Sequence, residues 1–419
     1  MTDQPANSCS ISTPPLTTRQ VYNVASDGGK HGRGSVGCAK VDANVDYEIV
    51  VVGGGSAGLT AATIAAQSGG SAVVLDRFDW PGGMLGLQTQ PLQGPGRGFS
   101  GATGLEIARS LEDEARTAGA EVRSGVRVAA VTQRPEAGQT RLTWSVQIAG
   151  LDSPITARAV VLATGSTEPL PMFDGSDLDG VMLAGDAQAT LNIKRRRVGE
   201  RIVVVGSDNS GLLIAQNLLD AGADVLAIVD ESPRVEGREL NAQPLRDRGV
   251  EMLTSTRIVR AIGHERLERI CVLFVAEDGS RRIRELQADA LLFALPRSPD
   301  TALSDSVGCP ALNIDALGGP SPVHDSGMGT TIPGLFVCGD AAGVESGAVA
   351  LETGRIAGVS AADYLGYRHP LGQTVANQAR GRLGYLRRGR RGGRRRSGIQ
   401  ALHREHREVA RSEYAVQTH

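Results

Sequence analysis

The stretch YEIVVVGGGSAGLTAATIAAQSGGSAVVLDR, residues 47–77, decides the fold. A strand-like run, Ile49 to Val52, leads into three glycines, Gly53, Gly55 and Gly58, and an apolar helix pattern and a second strand, AVVLD, follow. Gly53 permits a tight turn, Gly55 leaves room for a pyrophosphate, and Gly58 lets the helix pack closely on the sheet. This register of strand, turn, helix and strand predicts a dinucleotide-binding unit.

Other residues of this region complete the predicted site. The helix that begins near Ser56 directs its free N–H groups and the positive end of its dipole at the phosphates. Asp76 ends the second strand, where its carboxylate can accept hydrogen bonds from a ribose. A second glycine pair follows shortly after. The expected cofactor contacts in this region are Gly53, Gly55, Ser56, Ala57, Gly58, Asp76, Arg77, Gly82 and Gly83.

Composition argues against several classes of protein. The chain has 419 residues, enough for two or three domains, and a formal net charge of −2. No apolar run reaches the ~20 residues of a bilayer span, and the N-terminus MTDQPANSCS lacks the features of a secretory signal, so a cytoplasmic protein is expected. The five cysteines fall in no Cys-x-x-Cys or metal-ligand spacing, so we expect reduced thiols and no metal site.

The C-terminal end of the chain is rich in arginine. Twelve arginines lie between Arg380 and Arg411, and the glycines among them argue against a stable helix, although LHREHREVARSEY, residues 402–414, could form a short one. We therefore expect a disordered tail, with contact to an anionic partner such as nucleic acid, a membrane surface or an acidic subunit as the alternative. We do not expect nucleic acid as that partner, because Tyr385 stands alone and no recognition motif is present.

Residues 47–77 resemble the FAD-binding half of the two-dinucleotide-binding-domain flavoproteins, the superfamily of the pyridine nucleotide-disulfide oxidoreductases. Three later segments resemble the same group in order and spacing: SGVRVAAV (124–131), ARAVVLATGS (157–166) and TTIPGLFVCGDAAG (330–343). The resemblance covers roughly Tyr47 to Leu365, and it implies FAD as the cofactor.

The resemblance also implies roles for residues in the later segments. The strand backbone near Val128 would approach the adenine, Thr164 would lie close to the flavin, and Asp340 would hold a ribityl hydroxyl. A helix that starts after Ser346 would aim its N-terminus at the flavin N1/C2=O edge and stabilise negative charge there by about 1 kcal/mol. The residues implicated in this way are Val128, Thr164, Gly165, Gly339, Asp340, Gly347 and Ala348.

Strands alternate with helices along the chain, which predicts an α/β fold with mainly parallel sheets. We expect two Rossmann-like dinucleotide-binding units, with the FAD unit split in sequence around an inserted NAD-like unit. The predicted segments are a flexible leader (1–46), the first part of the FAD-binding domain (47–168), a connector (169–197), an NAD(P)-binding-like domain (198–295), the second part of the FAD-binding domain (296–368) and the arginine-rich tail (369–419).

The second unit carries an altered fingerprint, RIVVVGSDNSGLLIAQNLL, residues 201–219. Gly206 and Gly211 keep their places, but Asp208 stands where the middle glycine belongs, and at about 5 Å its charge would oppose a phosphate by roughly 3 kcal/mol at an effective dielectric constant of 20. The penalty shrinks if Asp208 caps its own helix. Asp230 would favour NAD over NADP. We expect NAD(H) binding here to be weakened or lost.

The resemblance also argues against disulfide reduction as the reaction. The group's disulfide reductases carry a redox cysteine pair just after the stretch equivalent to GGMLGLQTQPLQG, residues 82–94, and no cysteine lies there. Residues 179–193 and 337–358 resemble the flavin subunits of amino-acid, opine and sarcosine oxidases, of hydrogen cyanide synthase and of glycerol-pathway oxidoreductases. Many of those subunits have a cysteine-rich iron–sulfur segment near the C-terminus, and this chain has no cysteine in that region.

We therefore expect an FAD-dependent oxidoreductase that oxidises a small substrate, such as an amine or amino acid, by hydride transfer to the flavin. The electrons would pass to a quinone, to oxygen or to a partner subunit. Two alternatives stay open: an NAD(P)H-dependent flavin reductase that tolerates Asp208, and a non-catalytic flavin-bearing subunit of a complex. No acid or base can be assigned from the sequence, although His324, Asp325, Glu345 and Glu352 lie near the flavin motif.

Overall fold

The computed structural model describes residues 45–91, 101–135, 142–276 and 278–417. The leader predicted for residues 1–46 lies outside the described residues except for its last two positions. Within the described ranges, none of the helices combines the length and the apolar character that a bilayer crossing requires. In the same ranges, no group of three or more His, Cys, Asp and Glu side chains could hold a metal ion.

Strands and helices alternate through most of the described chain. The strands, in chain order, are β1 (Tyr47–Val52), β2 (Ala72–Leu75), β3 (Glu121–Arg123), β4 (Val128–Pro135), β5 (Leu142–Ile148), β6 (Ile155–Leu162), β7 (Ser166–Thr167), β8 (Val181–Leu183), β9 (Arg201–Val205), β10 (Asp224–Val229), β11 (Glu251–Leu253), β12 (Thr256–Gly263), β13 (Leu267–Val275), β14 (Arg281–Gln287), β15 (Ala290–Phe293), β16 (Ser298–Pro299), β17 (Ala311–Ile314), β18 (Gly319–Pro322) and β19 (Leu335–Val337). The α-helices are α1 (Ser56–Gln67), α2 (Gly104–Thr117), α3 (Ala184–Gln188), α4 (Asn209–Asp220), α5 (Glu239–Asp247), α6 (Ala302–Ser306), α7 (Gly347–Tyr364), α8 (Gly372–Leu386) and α9 (Gly389–Gln417).

The first sheet is built from two distant parts of the chain. Its strand order is β3-β2-β1-β6-β5-β4, and β19 pairs with β6 in parallel, with Leu335 opposite Val160. The strands β3, β2, β1, β6 and β19 run parallel, and β1 is buried along almost its whole length because helices cover such a sheet on its faces. The return of β19 to this sheet confirms the predicted unit that is split in sequence.

The second sheet is parallel throughout, in the order β11-β10-β9-β15-β8. The antiparallel sheet β12-β13-β14 is inserted between β11 and β15. The structure differs from the sequence-based division at residues 169–197, because the predicted connector contributes β8 to this sheet. Leu170, Phe173 and Leu178 of the same segment pack against the core of the second unit. A strand of three residues is too short to show a hydrophobic period in the sequence.

Helices α1 and α7 pack very closely and run in the same direction. A Cβ atom on Gly354 would lie 2.3 Å from the carbonyl oxygen of Ala57, and one on Gly358 would lie 2.5 Å from that of Ala61. Only glycine permits these approaches. Because the contacts advance along both helices together, the N-termini of α1 and α7 face the same edge of the first sheet.

The prediction of a disordered tail is wrong for the described residues, where α8 and α9 form. In α8, Ala376, Ala379 and Leu383 are buried against the first unit. In α9, Leu402 is fully buried against the loop region before β19. A Cβ atom on Gly398 would lie 2.6 Å from the side chain of Ile314, so a glycine that lowers helix propensity permits this contact. Burial of the apolar face offsets that lower propensity.

If α9 is part of the folded core, Leu402→Ala should lower the free energy of unfolding by about 2–5 kcal/mol, because the change leaves a cavity against Leu317 and Val323. The measurement is urea denaturation followed by circular dichroism. Leu240→Ala is the control, since that leucine is 80% exposed and its truncation should have little effect. Equal stability of Leu402→Ala and the unmodified chain would show that α9 does not pack as described.

Candidate functional site

A cleft of about 2390 Å³ lies at the carboxyl ends of β1, β2, β6 and β19. It is well above the 300–1,000 Å³ or so of an ordinary small-molecule pocket. Fifteen of the sixteen residues predicted to contact the cofactor line it: Gly53, Gly55, Ser56, Ala57, Asp76, Arg77, Gly82, Gly83, Val128, Thr164, Gly165, Gly339, Asp340, Gly347 and Ala348. Gly58 is the exception, because it faces the turn, where a Cβ atom would lie 1.9 Å from the carbonyl oxygen of Gly53.

The turn between β1 and α1 leaves the helix N-terminus open to this cleft. Gly53 adopts a φ of 107° and donates its N–H to the carbonyl oxygen of Leu75 at 2.8 Å. Gly55 is the N-cap residue of α1, and no side chain of the described residues caps the first-turn N–H groups. Beyond its two chain neighbours, no atom of the described residues lies within 4 Å of the place where a Cβ atom on Gly55 would stand. The helix therefore presents free N–H groups and its positive end, as an anion site requires.

Asp76 fixes the shape of this turn. Its two carboxylate oxygens accept hydrogen bonds from the backbone N–H of Gly54 at 2.7 Å and of Phe78 at 2.9 Å. Burial raises the pKa of Asp76 above its ordinary value. Each oxygen keeps a free lone pair that could accept a ribose hydroxyl. Gly82 and Gly83 pack over the turn, with the N–H of Gly82 donating to the carbonyl oxygen of Gly54 at 3.0 Å.

The other end of the cleft is formed where β6 and β19 end. Thr164 donates its hydroxyl to the carbonyl oxygen of Asp300 at 2.8 Å. Asp340 accepts hydrogen bonds from the Ser166 hydroxyl at 3.0 Å and from the N–H of Glu345 at 3.3 Å. Asp340 is thus held by both parts of the split unit, with its carboxylate on the cleft wall.

Helix α7 begins at this end of the cleft, as the sequence predicted. Its N-cap residue is Ser346, whose hydroxyl accepts a long hydrogen bond from the N–H of Val349 at 3.4 Å. Gly347 and Ala348 form the first turn on the cleft wall. Two helix N-termini therefore face the cleft, that of α1 near its middle and that of α7 at one end.

Arg297 is a cleft residue that the sequence reasoning missed. Its guanidinium lies 3.9 Å from the Asp340 carboxylate and 3.8 Å from that of Glu168, beyond hydrogen-bonding distance of either. Burial raises the pKa of Glu168, while Arg297 acts in the opposite direction. Its position in the sequence could have indicated this role. Arg297 follows closely after β15, so it lies at the carboxyl edge of the second sheet, where ligands of such folds bind.

None of the side chains considered as an acid or base is free in the cleft. His324 is buried away from it, and Asp325 binds the N–H groups of its own loop at 2.8 and 2.9 Å. Glu345 and Glu352 do line the cleft. However, Glu345 forms an ion pair with Arg387. Glu352 pairs through Oε1 with two arginines of α7 and α8, while its buried Oε2 has no hydrogen-bond partner among the described residues.

The turn of the second unit repeats the frame of the first. Gly206 adopts a φ of 105°, and a Cβ atom on Gly211 would lie 2.0 Å from its carbonyl oxygen. Asp230 occupies the same place as Asp76 in the first unit and accepts hydrogen bonds from the N–H and the hydroxyl of Ser207 at 2.7 and 2.6 Å. Burial would raise the pKa of Asp230, but the hydrogen bonds from Ser207 and Ser232 together hold it below its ordinary value.

Asp208 closes the N-terminus of α4. It is the N-cap residue, and its Oδ1 accepts hydrogen bonds from the N–H of Ser210 at 2.9 Å and of Gly211 at 3.0 Å. These are the donors that a bound phosphate would need. The sequence left open whether Asp208 faces a bound phosphate or caps its own helix, and in the structure it caps the helix. Its carboxylate thus accepts the hydrogen bonds of the helix N–H groups without any ligand.

A second feature covers the same turn. The N–H of Gly237 donates to the carbonyl oxygen of Ser207 at 2.8 Å, and the N–H of Glu236 donates to the Ser207 hydroxyl at 3.0 Å. The next N–H, of Arg238, donates to the Asn209 side chain at 2.9 Å. The segment 236–238 is therefore hydrogen-bonded across the turn on which a pyrophosphate would lie.

The family is established by comparison with known proteins. Residues 47–363 match the family model described as pyridine nucleotide-disulphide oxidoreductase, and the chain belongs to this family of flavoprotein oxidoreductases. The match begins with β1 and ends within α7, so it contains both parts of the split unit and the inserted second unit.

Two relatives of this chain are subunits of oxidases. An opine oxidase subunit of Agrobacterium tumefaciens (strain Ach5) is 30% identical over 335 residues, which cover 75% of this chain and 65% of the relative. The alpha subunit of the sarcosine oxidase of Rhizobium meliloti (strain 1021) is 30% identical over 196 residues, which cover 44% of this chain and 19% of the relative. The chain thus spans less than two thirds of the length of either relative.

The fold is also found among solved structures. The thioredoxin reductase of Lactococcus lactis superposes with a TM-score of 0.63 at 18% sequence identity, over 76% of this chain and 99% of the reductase. At this identity the comparison concerns the fold alone. Two Rossmann-type units with parallel sheets, as predicted from the sequence, are confirmed.

If Asp208 caps α4, Asp208→Ala should lower the free energy of unfolding by about 1 kcal/mol, because two N–H groups lose their acceptor. Asp208→Asn should keep most of that stability, since asparagine caps as well as aspartate. Chemical denaturation of the three chains gives the comparison. Asp177→Ala, on an exposed aspartate, is the control. A fully stable Asp208→Ala chain would contradict the cap.

Proposed function

We propose that this chain is an FAD-dependent oxidoreductase in which the flavin accepts a hydride from a small substrate, an amine or amino acid. The electrons then pass to a quinone, to oxygen or to a partner subunit. The observation that carries the proposal is the cleft, which brings together the predicted contacts from both parts of the split unit. Membership in the flavoprotein family supports a flavin, and the geometry favours FAD among the flavins.

FAD fits the cleft better than a smaller nucleotide does. The region near Val128 and Asp76 suits an adenosine, and the open N-terminus of α1 suits a pyrophosphate. Asp340 and the α7 N-terminus lie beyond the pyrophosphate position, where a ribityl chain and a ring system would reach. A nicotinamide cofactor has no ribityl chain, so it would leave Asp340, the acid that follows β19, without a group to bind.

The residues of the chain would bind, orient and shield, while bound FAD would supply the hydride acceptor. The α1 N–H groups would hold the pyrophosphate, and Asp340 would hold a ribityl hydroxyl. The N-terminus of α7 would favour negative charge on the nearest ring edge. Arg297 would offer guanidinium donors to a substrate carboxylate, because it lies on the cleft wall and makes no hydrogen bond to the two acids beside it.

The relatives of this chain favour a partner protein as the acceptor of the electrons. The opine oxidase and sarcosine oxidase chains that resemble this protein are both named as subunits, so a partner protein is a reasonable electron acceptor here as well. The capped turn of the second unit makes NADH a poor source of electrons for this flavin. A substrate oxidised at the flavin is therefore favoured over NADH as the reductant.

We also propose a cytoplasmic location for this activity. Cys271, Cys309 and Cys338, the cysteines within the described residues, are unpaired and buried. Unpaired thiols are the usual state in a reducing compartment.

The purified chain should be yellow, with one FAD per chain, and Gly55→Val should remove the flavin almost completely. The valine would stand in the pyrophosphate position, and its Cβ atom meets no atom of the described residues within 4 Å beyond its own chain neighbours, so the variant should still fold. Flavin released by denaturation is quantified by absorbance, and folding is checked by circular dichroism.

The matched control is Gly381→Val, an exposed glycine of α8 with open space around it. It should keep its flavin. The proposal fails if the unmodified chain does not take up FAD, or if folded Gly55→Val binds it as well as the control does.

A further inference from the structure

A second, smaller cavity of about 240 Å³ lies behind one wall of the cleft, between α7, α8, α9 and the loop region around β19. Gly339 and Glu345 line both spaces, so they form the wall between them. Glu345 is held there by Arg387, whose guanidinium donates to its carboxylate at 2.6 and 3.1 Å. The two spaces are therefore neighbours with a fixed ion pair at their boundary.

The lining of this cavity is apolar inside and positive at the mouth. Leu317, Ile356 and Leu383 are buried around the interior. Arg380 and Arg396, on α8 and α9, are exposed at the opening. Arg380 bonds to an asparagine side chain and Arg396 to a backbone carbonyl, and among the described residues neither has a carboxylate within 4 Å. Their charges are thus available to an anion.

Two histidines line the interior, His324 and His403, with their rings edge to face and their centroids 5.8 Å apart, and His324 is the more deeply buried of the two. The side chain is 3% exposed, and its Nδ1 lies 2.8 Å from the carbonyl oxygen of Pro322. A carbonyl oxygen only accepts, so Nδ1 carries the proton and Nε2 has a free lone pair. Complete burial lowers the pKa of His324 to about 4, which keeps the ring neutral. Nε2 has no hydrogen-bond partner among the described residues.

We propose that this cavity binds a small organic carboxylate with an apolar body and one O–H or N–H donor. The carboxylate would lie at the mouth against Arg380 and Arg396, the apolar body would fill the interior, and the donor would reach Nε2 of His324. The volume of about 240 Å³ lies just below the roughly 300–1,000 Å³ of ordinary ligand pockets, so the cavity has room for only a small molecule and is far too small for a dinucleotide.

The proposed site is independent of the flavin chemistry proposed above. The lining residues on α8 and α9 lie outside the segment that matches the family model, which ends at residue 363. Because the cavity shares its wall with the cleft, a ligand there would lie beside the Glu345–Arg387 pair and the first turn of α7. The site would therefore belong to this chain's own C-terminal helices rather than to the two dinucleotide-binding units.

Three related probes test the proposal by isothermal titration calorimetry on the full chain. Mandelate has the carboxylate, the phenyl body and the hydroxyl donor, phenylacetate lacks the donor, and mandelamide lacks the charge. Mandelate should bind best, with phenylacetate weaker by about threefold or more and mandelamide by about tenfold or more, as the loss of a neutral and of a charged hydrogen bond predicts.

Variants locate the binding. Arg396→Gln should weaken mandelate by about tenfold or more, while Arg404→Gln, an exposed arginine of the same helix that does not line the cavity, should leave it unchanged. His324→Asn keeps a donor to Pro322 but removes Nε2, so mandelate and phenylacetate should then bind equally. The proposal is overturned if mandelate does not bind at millimolar concentrations, if the two arginine variants behave alike, or if His324→Asn still prefers mandelate.

Discussion

The open N-terminus of α1 is the feature on which the arrangement of this protein depends. Its first-turn N–H groups have no side-chain acceptor, and the cleft begins directly beyond Gly55. The rest of the first unit positions this helix end. Asp76 shapes the turn, Gly354 and Gly358 bring α7 alongside α1, and β19 returns to complete the sheet. Two helix N-termini then face one cleft, which suits a large anionic cofactor.

The second unit has the same glycine turn as the first, but its helix N-terminus is capped instead of open. Its turn keeps Gly206 and Gly211, and Asp230 holds the turn as Asp76 does in the first unit. The carboxylate of Asp208 accepts hydrogen bonds from the first N–H groups of α4, and the segment 236–238 is hydrogen-bonded over the same turn. A bound phosphate would have to displace a carboxylate from two N–H groups and also remain near its charge. We infer that nucleotide binding in this unit is weakened or lost, while the fold of the unit is retained.

The sequence was informative where function depends on fixed spacing within one unit. Gly55, Asp76 and Asp340 lie in or next to strands whose register determines where they point, so their place on the cleft was predictable. The role of Asp208 was not, because capping and exposure to a ligand are two conformations of the same residue. Most of the helical tail was missed, and only residues 402–414 were considered for a short helix, because arginine and glycine dominate the rest of its composition. Ala376, Ala379 and Leu383 nevertheless have the spacing of one helix face. Arg297 and the segment 236–238 depend on tertiary contacts that no local pattern records.

Anaerobic stopped-flow reduction of the bound flavin by NADH, in the unmodified chain and in Asp208→Gly, tests most directly whether the second unit has lost its nucleotide. We expect slow reduction, or none, in the unmodified chain. In Asp208→Gly the apparent affinity for NADH should rise by up to roughly one to two decades, because glycine frees two N–H donors and removes a charge worth about 3 kcal/mol against a phosphate, while the segment 236–238 still crosses the turn. Fast reduction of the unmodified chain at low NADH concentrations would contradict this expectation, since the turn of the second unit would then bind the nucleotide despite its cap.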